Sequence, residues 1–293
     1  MATQIIDGND IARKIRAELT QEIERLKAER GVTPGLATVL VGENSASQSY
    51  IRMKNKACRD LGLYSEQHTL PVTIAEADLL ALLADLNRAA KIHGILVQLP
   101  LPDHIDEPKI ISAILPEKDV DGFHPVNMGK LLIGLPGFRP CTPFGVQKML
   151  TYSGIDPAGK HVVVVGRSNI VGKPIANMLL QNEKAANATV TVCHSRTADL
   201  PAITRQADIL IAAIGQPEFI TAEMVKAGAV VIDVGVNRVE DPSAPKGYRL
   251  VGDVKFDEVA PKCGAISPVP GGVGPMTITM LLYNTVEAAK AMK

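Results

Sequence analysis

Four short apolar runs, HVVVVG, ATVTVCH, ADILIAAIG and AVVIDVGV, follow one another at roughly even spacing from His161 to Val236. Helical or turn-like segments separate them. Continuous apolar runs of this length suit strands buried on both faces, which require helices above and below the sheet. The pattern is that of a doubly wound parallel sheet, an architecture that binds ligands beyond the carboxyl ends of its strands. Composition agrees: 46% of residues are hydrophobic, only 3% are aromatic and none is Trp, so the cores are assembled from Val, Ile, Leu and Ala.

The first half of the chain alternates in the same way. Ile11, Ile15, Leu19, Ile23 and Leu26 recur at helical spacing between Asp10 and Arg30, and Gly31 ends the pattern. A strand-like LATVLVG follows, then SASQSYIRMKNKACRDLG as a helix ending at Gly62, ADLLALLADLN as another, and IHGILVQLPLP as a second buried strand closed by prolines. Between Pro116 and Pro143 periodicity gives way to Pro- and Gly-rich sequence, where a domain boundary is expected. At 293 residues the chain is long for one core. The predicted organisation is an N-terminal α/β domain over residues 1–140 and a Rossmann-like, doubly wound domain over 141–272. A C-terminal helix over 273–293 returns to the first domain through Met276, Ile278, Met280, Leu281, Leu282 and Val286.

Charge and ligand patterns exclude several function classes. With 31 basic and 31 acidic residues the formal charge is zero, so the electrostatic footprint of a nucleic-acid or anionic-membrane binder is missing and a small-molecule partner is expected. Cys58, Cys141, Cys193 and Cys263 are far apart and form no C-x-x-C pair, which suggests neither a zinc site nor a disulfide framework. His93, His124 and His194 share no metal-ligand spacing, and no G-x-S-x-G elbow occurs, so no metal and no acyl transfer are expected. The N-terminus MATQIIDGND lacks the apolar run of a signal peptide and no stretch approaches a membrane span; a cytoplasmic location is expected.

The stretch VVVVGRSNIVGKP carries the first strand of the run into a turn and a helix without the G-x-G-x-x-G fingerprint. Gly166 permits the tight turn, Gly172 permits close helix approach, and Ser168 stands where a second glycine would let backbone approach a pyrophosphate. Its hydroxyl can donate a hydrogen bond instead, and the helix N-terminus favours a phosphate. A turn of this kind also occurs in non-binding α/β domains; its place in a series of four runs favours binding. After the next strand, CHSRT offers Ser195 and Arg196 where an NAD site would place an acidic residue against the ribose. Arg196 also fits an ordinary surface arginine, Arg167 in the loop itself less so; a 2′-phosphorylated ribose is the better fit, so NADP is expected over NAD.

In SYIRMKNK, Tyr50 and Lys54 share one helix face. A partly buried lysine beside a phenol can serve as a general acid or base; the pair alone also fits a solvated helix face. Gln98 closes the strand ILVQLP, where a side-chain amide can orient a ligand or a lysine. EKDVDGFHP holds Asp119 and Asp121. Either carboxylate can accept paired N–H donors from an aminopyrimidine, and Asp119 can equally cap or form a turn. SPVPGGVGPMT is too constrained for a linker and suits backbone wrapped around a flat ligand.

Taken together, YIRMK, VQLPLP, EKDVDGFHPVN, PCTPFG, GRSNIVGKP, ADILIAAIGQP, VIDVGVN, VGDV and PVPGGVGPMT resemble the bifunctional methylenetetrahydrofolate dehydrogenase/methenyltetrahydrofolate cyclohydrolase family over nearly the whole chain. The resemblance implies oxidation of 5,10-methylenetetrahydrofolate with NADP as acceptor, then hydrolysis of the methenyl cation to 10-formyltetrahydrofolate, in one cleft between the domains. It makes Lys54 the catalytic acid/base, Tyr50 a ring-stacking residue, Gln98 the partner of Lys54 and Asp121 the anchor of the pterin. Pro270 and Gly271 line the folate by backbone. Gly166, Arg167 and Ser168 contact the cofactor, with Ser195 near the 2′-phosphate and Ile232 offering main chain after its strand. Tetrahydrofolate derivatives are the implied partners, and a homodimer through the nucleotide domain the implied assembly. Two other readings are an NADP-binding sensor without the chemistry, and a monofunctional dehydrogenase of the same fold.

Overall fold

The stripe of Ile11, Ile15, Leu19, Ile23 and Leu26 is buried along one long helix, as its spacing requires. In the computed structural model, which describes residues 2–244 and 247–292, the chain begins with β1 (Gln4–Ile5), α1 (Gly8–Arg30), β2 (Gly35–Val41), α2 (Ser45–Asp60) and β3 (Tyr64–Leu70). It continues through α3 (Glu76–Arg88), β4 (Gly94–Val97), α4 (Glu107–Ala113), α5 (Pro125–Leu132) and α6 (Cys141–Tyr152). The later part contains β5 (His161–Val165), α7 (Gly172–Leu180), β6 (Thr189–Cys193), α8 (Leu200–Thr204), β7 (Ile209–Ala212) and β8 (Val230–Asp233). The pair β9 (Asn237–Glu240) and β10 (Tyr248–Val251), then α9 (Phe256–Val259), β11 (Ala265–Ile266) and α10 (Val273–Ala291), complete it.

Contacts divide the chain into two compact units. One comprises Lys14–Cys141 and the described residues from Ile278 onward; the other comprises Thr142–Thr277 and the described residues up to Arg13. This differs from the expected assignment of residues 1–140 to the first domain. β1 is a parallel edge strand on β11, with Gln4 opposite Ala265, so backbone pairing draws the start of the chain into the nucleotide-type sheet. The tail differs as well: α10 is divided after Thr277 rather than belonging to the first domain from residue 273. Met1 and Lys293, which end the expected domains, lie outside the described residues.

The first unit has a parallel sheet in the order β3-β2-β4. β2 and β4 are buried throughout, and α3 seals one face with Leu79, Leu83 and Leu86 against Val39, Val41, Ile95 and Val97. Full burial of one such leucine contributes about 1.5–3 kcal/mol. β3 was not anticipated from sequence. It is an edge strand whose outward residues are polar, so YSEQHTL carries no apolar run.

The second unit has a parallel sheet in the order β1-β11-β8-β7-β5-β6. Its strands bury Val163, Val165, Leu210, Ala212 and Val231 in one core. β6 follows β5 on one side and β7 lies on the other, so the winding reverses at β5, and the carboxyl ends of β5 and β7 frame the switch point of a doubly wound sheet.

Candidate active site

Asn44 caps α2 by accepting from the Ser47 amide, which starts the helix at the end of β2. Three turns on, Lys54 is only 7% exposed, whereas Tyr50, one turn earlier, is 37% exposed. Lys54 is therefore not part of a solvated face, while Tyr50 is open to solvent. Lys54 Nζ donates to Gln98 Oε1 at 3.0 Å. Gln98 follows β4, its backbone amide still bonded to Val39 O at 2.8 Å, and its side-chain Nε2 donates to Leu99 O at 2.8 Å. That second bond turns the amide oxygen toward the lysine. The hydrogen-bond partner of the buried lysine is thus a neutral amide oxygen.

The two aspartates of the EKDVDG stretch have different work. Asp119 is 2% exposed and its carboxylate accepts from the amides of Gly122, Phe123 and His124 at 3.2, 3.2 and 2.8 Å and from Asn127 Nδ2 at 2.9 Å. It is consumed by the turn. Asp121 is half-buried. Burial pushes its carboxyl above the usual range; the Lys54 charge and a hydrogen bond with the Cys141 thiol act the other way, and the Asp119 carboxylate adds to the rise. Sequence reasoning missed two neighbours that fix this peptide. Cys141 Sγ donates to Val120 O at 3.3 Å, and Asn284 Nδ2 donates to Val120 O at 2.8 Å and to Arg139 O at 3.0 Å. The signal for Asn284 was an amide, 3% exposed, within the apolar face of α10.

In the second unit Gly166 ends β5 at φ +134°, and a Cβ there would lie 2.1 Å from Ala213 O, so only glycine fits between the ends of β5 and β7. Ser168 Oγ accepts from the Val171 and Gly172 amides at 3.1 and 3.3 Å at the start of α7, and a hydroxyl that accepts can also donate to a phosphate. β5 and β6 pair with Val165 opposite Cys193, which brings Gly166 and Arg167 beside His194 and Ser195. The 194–197 turn is closed by His194 N to Thr197 Oγ1 (2.8 Å), Thr197 N to His194 O (2.9 Å) and Arg196 N to His194 Nδ1 (3.1 Å). Arg167, Ser168, Ser195 and Arg196 are all exposed. A glycine cradle, a helix N-terminus and two arginines at paired strand ends fit a dinucleotide bearing an extra phosphate.

One expectation looks different in three dimensions. Ile232 lies inside β8, paired with Ile211 and fully buried, rather than after the strand. Pro270 and Gly271, in the loop between β11 and α10, belong to the same unit as the nucleotide turn, whereas Tyr50, Lys54, Gln98 and Asp121 belong to the other. Among the described residues no group of three or more His, Cys, Asp or Glu could hold a metal ion.

The chain is similar to known proteins along its whole length. The family models for the tetrahydrofolate dehydrogenase/cyclohydrolase catalytic domain and NAD(P)-binding domain match residues 6–121 and 140–293. The bifunctional protein FolD of Moorella thermoacetica is 62% identical over 290 residues, 99% of this chain and 100% of that protein. The crystal structure of the bifunctional FolD of Campylobacter jejuni superposes with a TM-score of 0.93 at 50% identity, covering 99% of each chain. The Trypanosoma brucei methylenetetrahydrofolate dehydrogenase-cyclohydrolase, solved with NADP cofactor and inhibitor, gives 0.93 at 43% identity, covering 99% of this chain and 98% of that one.

Proposed function

This chain belongs to the tetrahydrofolate dehydrogenase/cyclohydrolase family, and from that premise we propose that it oxidises 5,10-methylenetetrahydrofolate with NADP and hydrolyses the resulting 5,10-methenyl cation to 10-formyltetrahydrofolate. The observation that carries the reading is the buried Lys54 held by Gln98 at 3.0 Å. NADP, when bound at the turn after β5, supplies the hydride acceptor. The protein's part in that step is orientation, because the folate nitrogens stabilise the cation and no protein acid or base is needed. Arg167 and Ser195 select the 2′-phosphate. Asp121 receives the pterin's amino and ring N–H groups, and Tyr50 lies against the folate ring. Pro270 and Gly271 line the folate through their backbone, and Ile232 offers main chain to the cofactor.

Hydrolysis is where Lys54 acts. Its amine removes a proton from the water attacking the methenyl carbon, and its ammonium then protonates the ring nitrogen as the carbon–nitrogen bond breaks, while the remaining hydroxyl proton leaves to solvent as the formyl C=O forms. Gln98 holds Nζ in place through both steps.

A homodimer and a cytoplasmic location complete the proposal. β6 is one of the two edge strands of the six-stranded sheet and leaves Val192 39% exposed, an edge that a second copy would cover. Among the described residues no helix is long and apolar enough to cross a membrane, and balanced charge argues against a nucleic-acid partner. The purified protein, given 5,10-methylenetetrahydrofolate and NADP, should form NADPH and then consume the methenyl species. Absence of NADPH would overturn the proposal, and accumulation of methenyl-folate at its uncatalysed decay rate would reduce it to a monofunctional dehydrogenase.

A further inference from the structure

Gly166, Arg167 and Ser168 account for one wall of the nucleotide crevice. The other wall is held by two buried aspartates, Asp233 at the end of β8 and Asp253 just past β10, 3% and 0% exposed. They form an interlock. Asp233 accepts from the amides of Gly235, Asp253 and Val254 at 3.0, 2.9 and 2.9 Å. Asp253 accepts from three successive amides, Ile214, Gly215 and Gln216, at 2.6, 2.9 and 3.0 Å, and from Asn237 Nδ2 at 2.9 Å. Each carboxylate sits where the other segment has glycine: a Cβ at Gly252 would lie 1.7 Å from Asp233 Oδ2, and one at Gly235 would lie 2.2 Å from Asp253 Oδ1.

Ile214 to Gln216 form the turn that leaves β7. The residue before them, Ala213, carries the carbonyl on which Gly166 closes. Three successive amides converging on one point are an anion nest, and here a carboxylate of the chain itself fills it. The bonds sit at the carboxyl ends of β7 and β8, the end of a parallel sheet where ligands bind, so their consequence falls on the ligand side. We propose that Asp253 is a positioning residue for the dinucleotide: it fixes the Ile214–Gln216 turn in the shape that NADP binds. Asp233 acts one step behind, holding the amides of Asp253 and Val254. This rests on the reading that NADP occupies the turn after β5.

Asp253→Asn keeps the side-chain volume but sets an NH2 group against amides that need an acceptor. The KM for NADP should rise by about tenfold or more with a smaller fall in kcat, the signature of lost binding. Hydrolysis of preformed methenyltetrahydrofolate, assayed without NADP, should stay within about twofold. An unchanged KM for NADP, or a parallel loss of both activities in folded protein, overturns the proposal. If Asp253→Asn does not fold, Asn237→Ala decides: it removes one donor to Asp253 and should raise the KM for NADP about threefold with hydrolysis retained, and an unchanged KM overturns the proposal. Arg167→Ala, measured alongside, separates the two ideas. If it weakens NADP while the Asp253 and Asn237 variants do not, only the positioning role falls; if all three leave NADP binding intact, the placement of NADP falls with it.

Discussion

Lys54 and Gln98, 44 residues apart in sequence, meet at 3.0 Å. The helix after β2 carries one and the end of β4 carries the other, and β2 pairs directly with β4, Val39 opposite Val97. Parallel pairing thus brings to one sheet end two residues that a local reading can only treat separately. The Gln98 side chain is turned by its own bond to Leu99 O at 2.8 Å, so the lysine meets an acceptor already fixed in direction.

Arg167 stands exposed beside the Gly166 turn, next to the paired end of β6. Charge-assisted bonds to a phosphate contribute about 1.5–3 kcal/mol, so Arg167→Ala should weaken NADP binding by about tenfold or more while NAD binding changes little. Titration of the variant with each cofactor checks this. Equal loss of both would show that the arginine only supports the loop.

Asp121 is expected to hold the pterin, and its burial raises the pKa from the usual 3.8. Only the ionised carboxylate accepts from two N–H groups at once, so folate affinity should fall as pH drops through that raised value rather than near the unperturbed one. Asp121→Asn should lower folate binding by about 2–5 kcal/mol, as expected for a lost charge-assisted partner, and impair both activities together. Unchanged folate affinity by calorimetry would refute the placement.

Much of the fold was legible because its signals are local. The four apolar runs correspond to β5, β6, β7 and β8, and the spaced Ile and Leu residues of α1 are buried. What escaped was set by partners distant in sequence. β3 exists because β2 lies beside it, and its half-exposed residues need not be apolar. β11 comprises two residues that form a strand only between β1 and β8. The site shows the same division. Sequence located both Asp119 and Asp121, but the backbone decides that Asp119 is spent on the turn. Asp253 was invisible as a positioning residue because its four donors come from the turn after β7 and from the first residue of β9, both distant from it in sequence.

Asp233 provides a pH test of the interlock. Burial raises its pKa from 3.8 to about 7, outweighing the bonds from Val254, Asp253 and Gly235, with the Asp253 charge adding to the rise. The folded state therefore holds this proton more tightly than the unfolded state does. The stabilising contribution is complete below the unfolded value of 3.8 and is lost as pH rises through about 7. Within that window the loss approaches about 1.4 kcal/mol per pH unit. Asp233→Asn, which cannot titrate, should show a flatter dependence of unfolding free energy on pH by denaturant titration. Parallel slopes for the two proteins would rule out this proton.

Lys54 separates the two reactions. Hydride transfer requires the folate and the nicotinamide to be aligned, and it moves no proton to or from the protein. Hydrolysis requires a proton to leave water and another to reach the ring nitrogen, general acid–base work worth about 10²–10⁴-fold. The Lys54 ammonium is 7% exposed and bonded to Gln98, so it is shielded from bulk water and held by a group that accepts but does not neutralise it. Lys54→Gln is one atom shorter but keeps an N–H donor toward the Gln98 oxygen while removing the amine. Cyclohydrolase activity should fall by about 10²-fold or more, and dehydrogenase activity should survive better. Both rates are measured on the purified variant with saturating folate and NADP. A parallel fall in the two would make Lys54 a positioning residue and leave the proton transfers to another group.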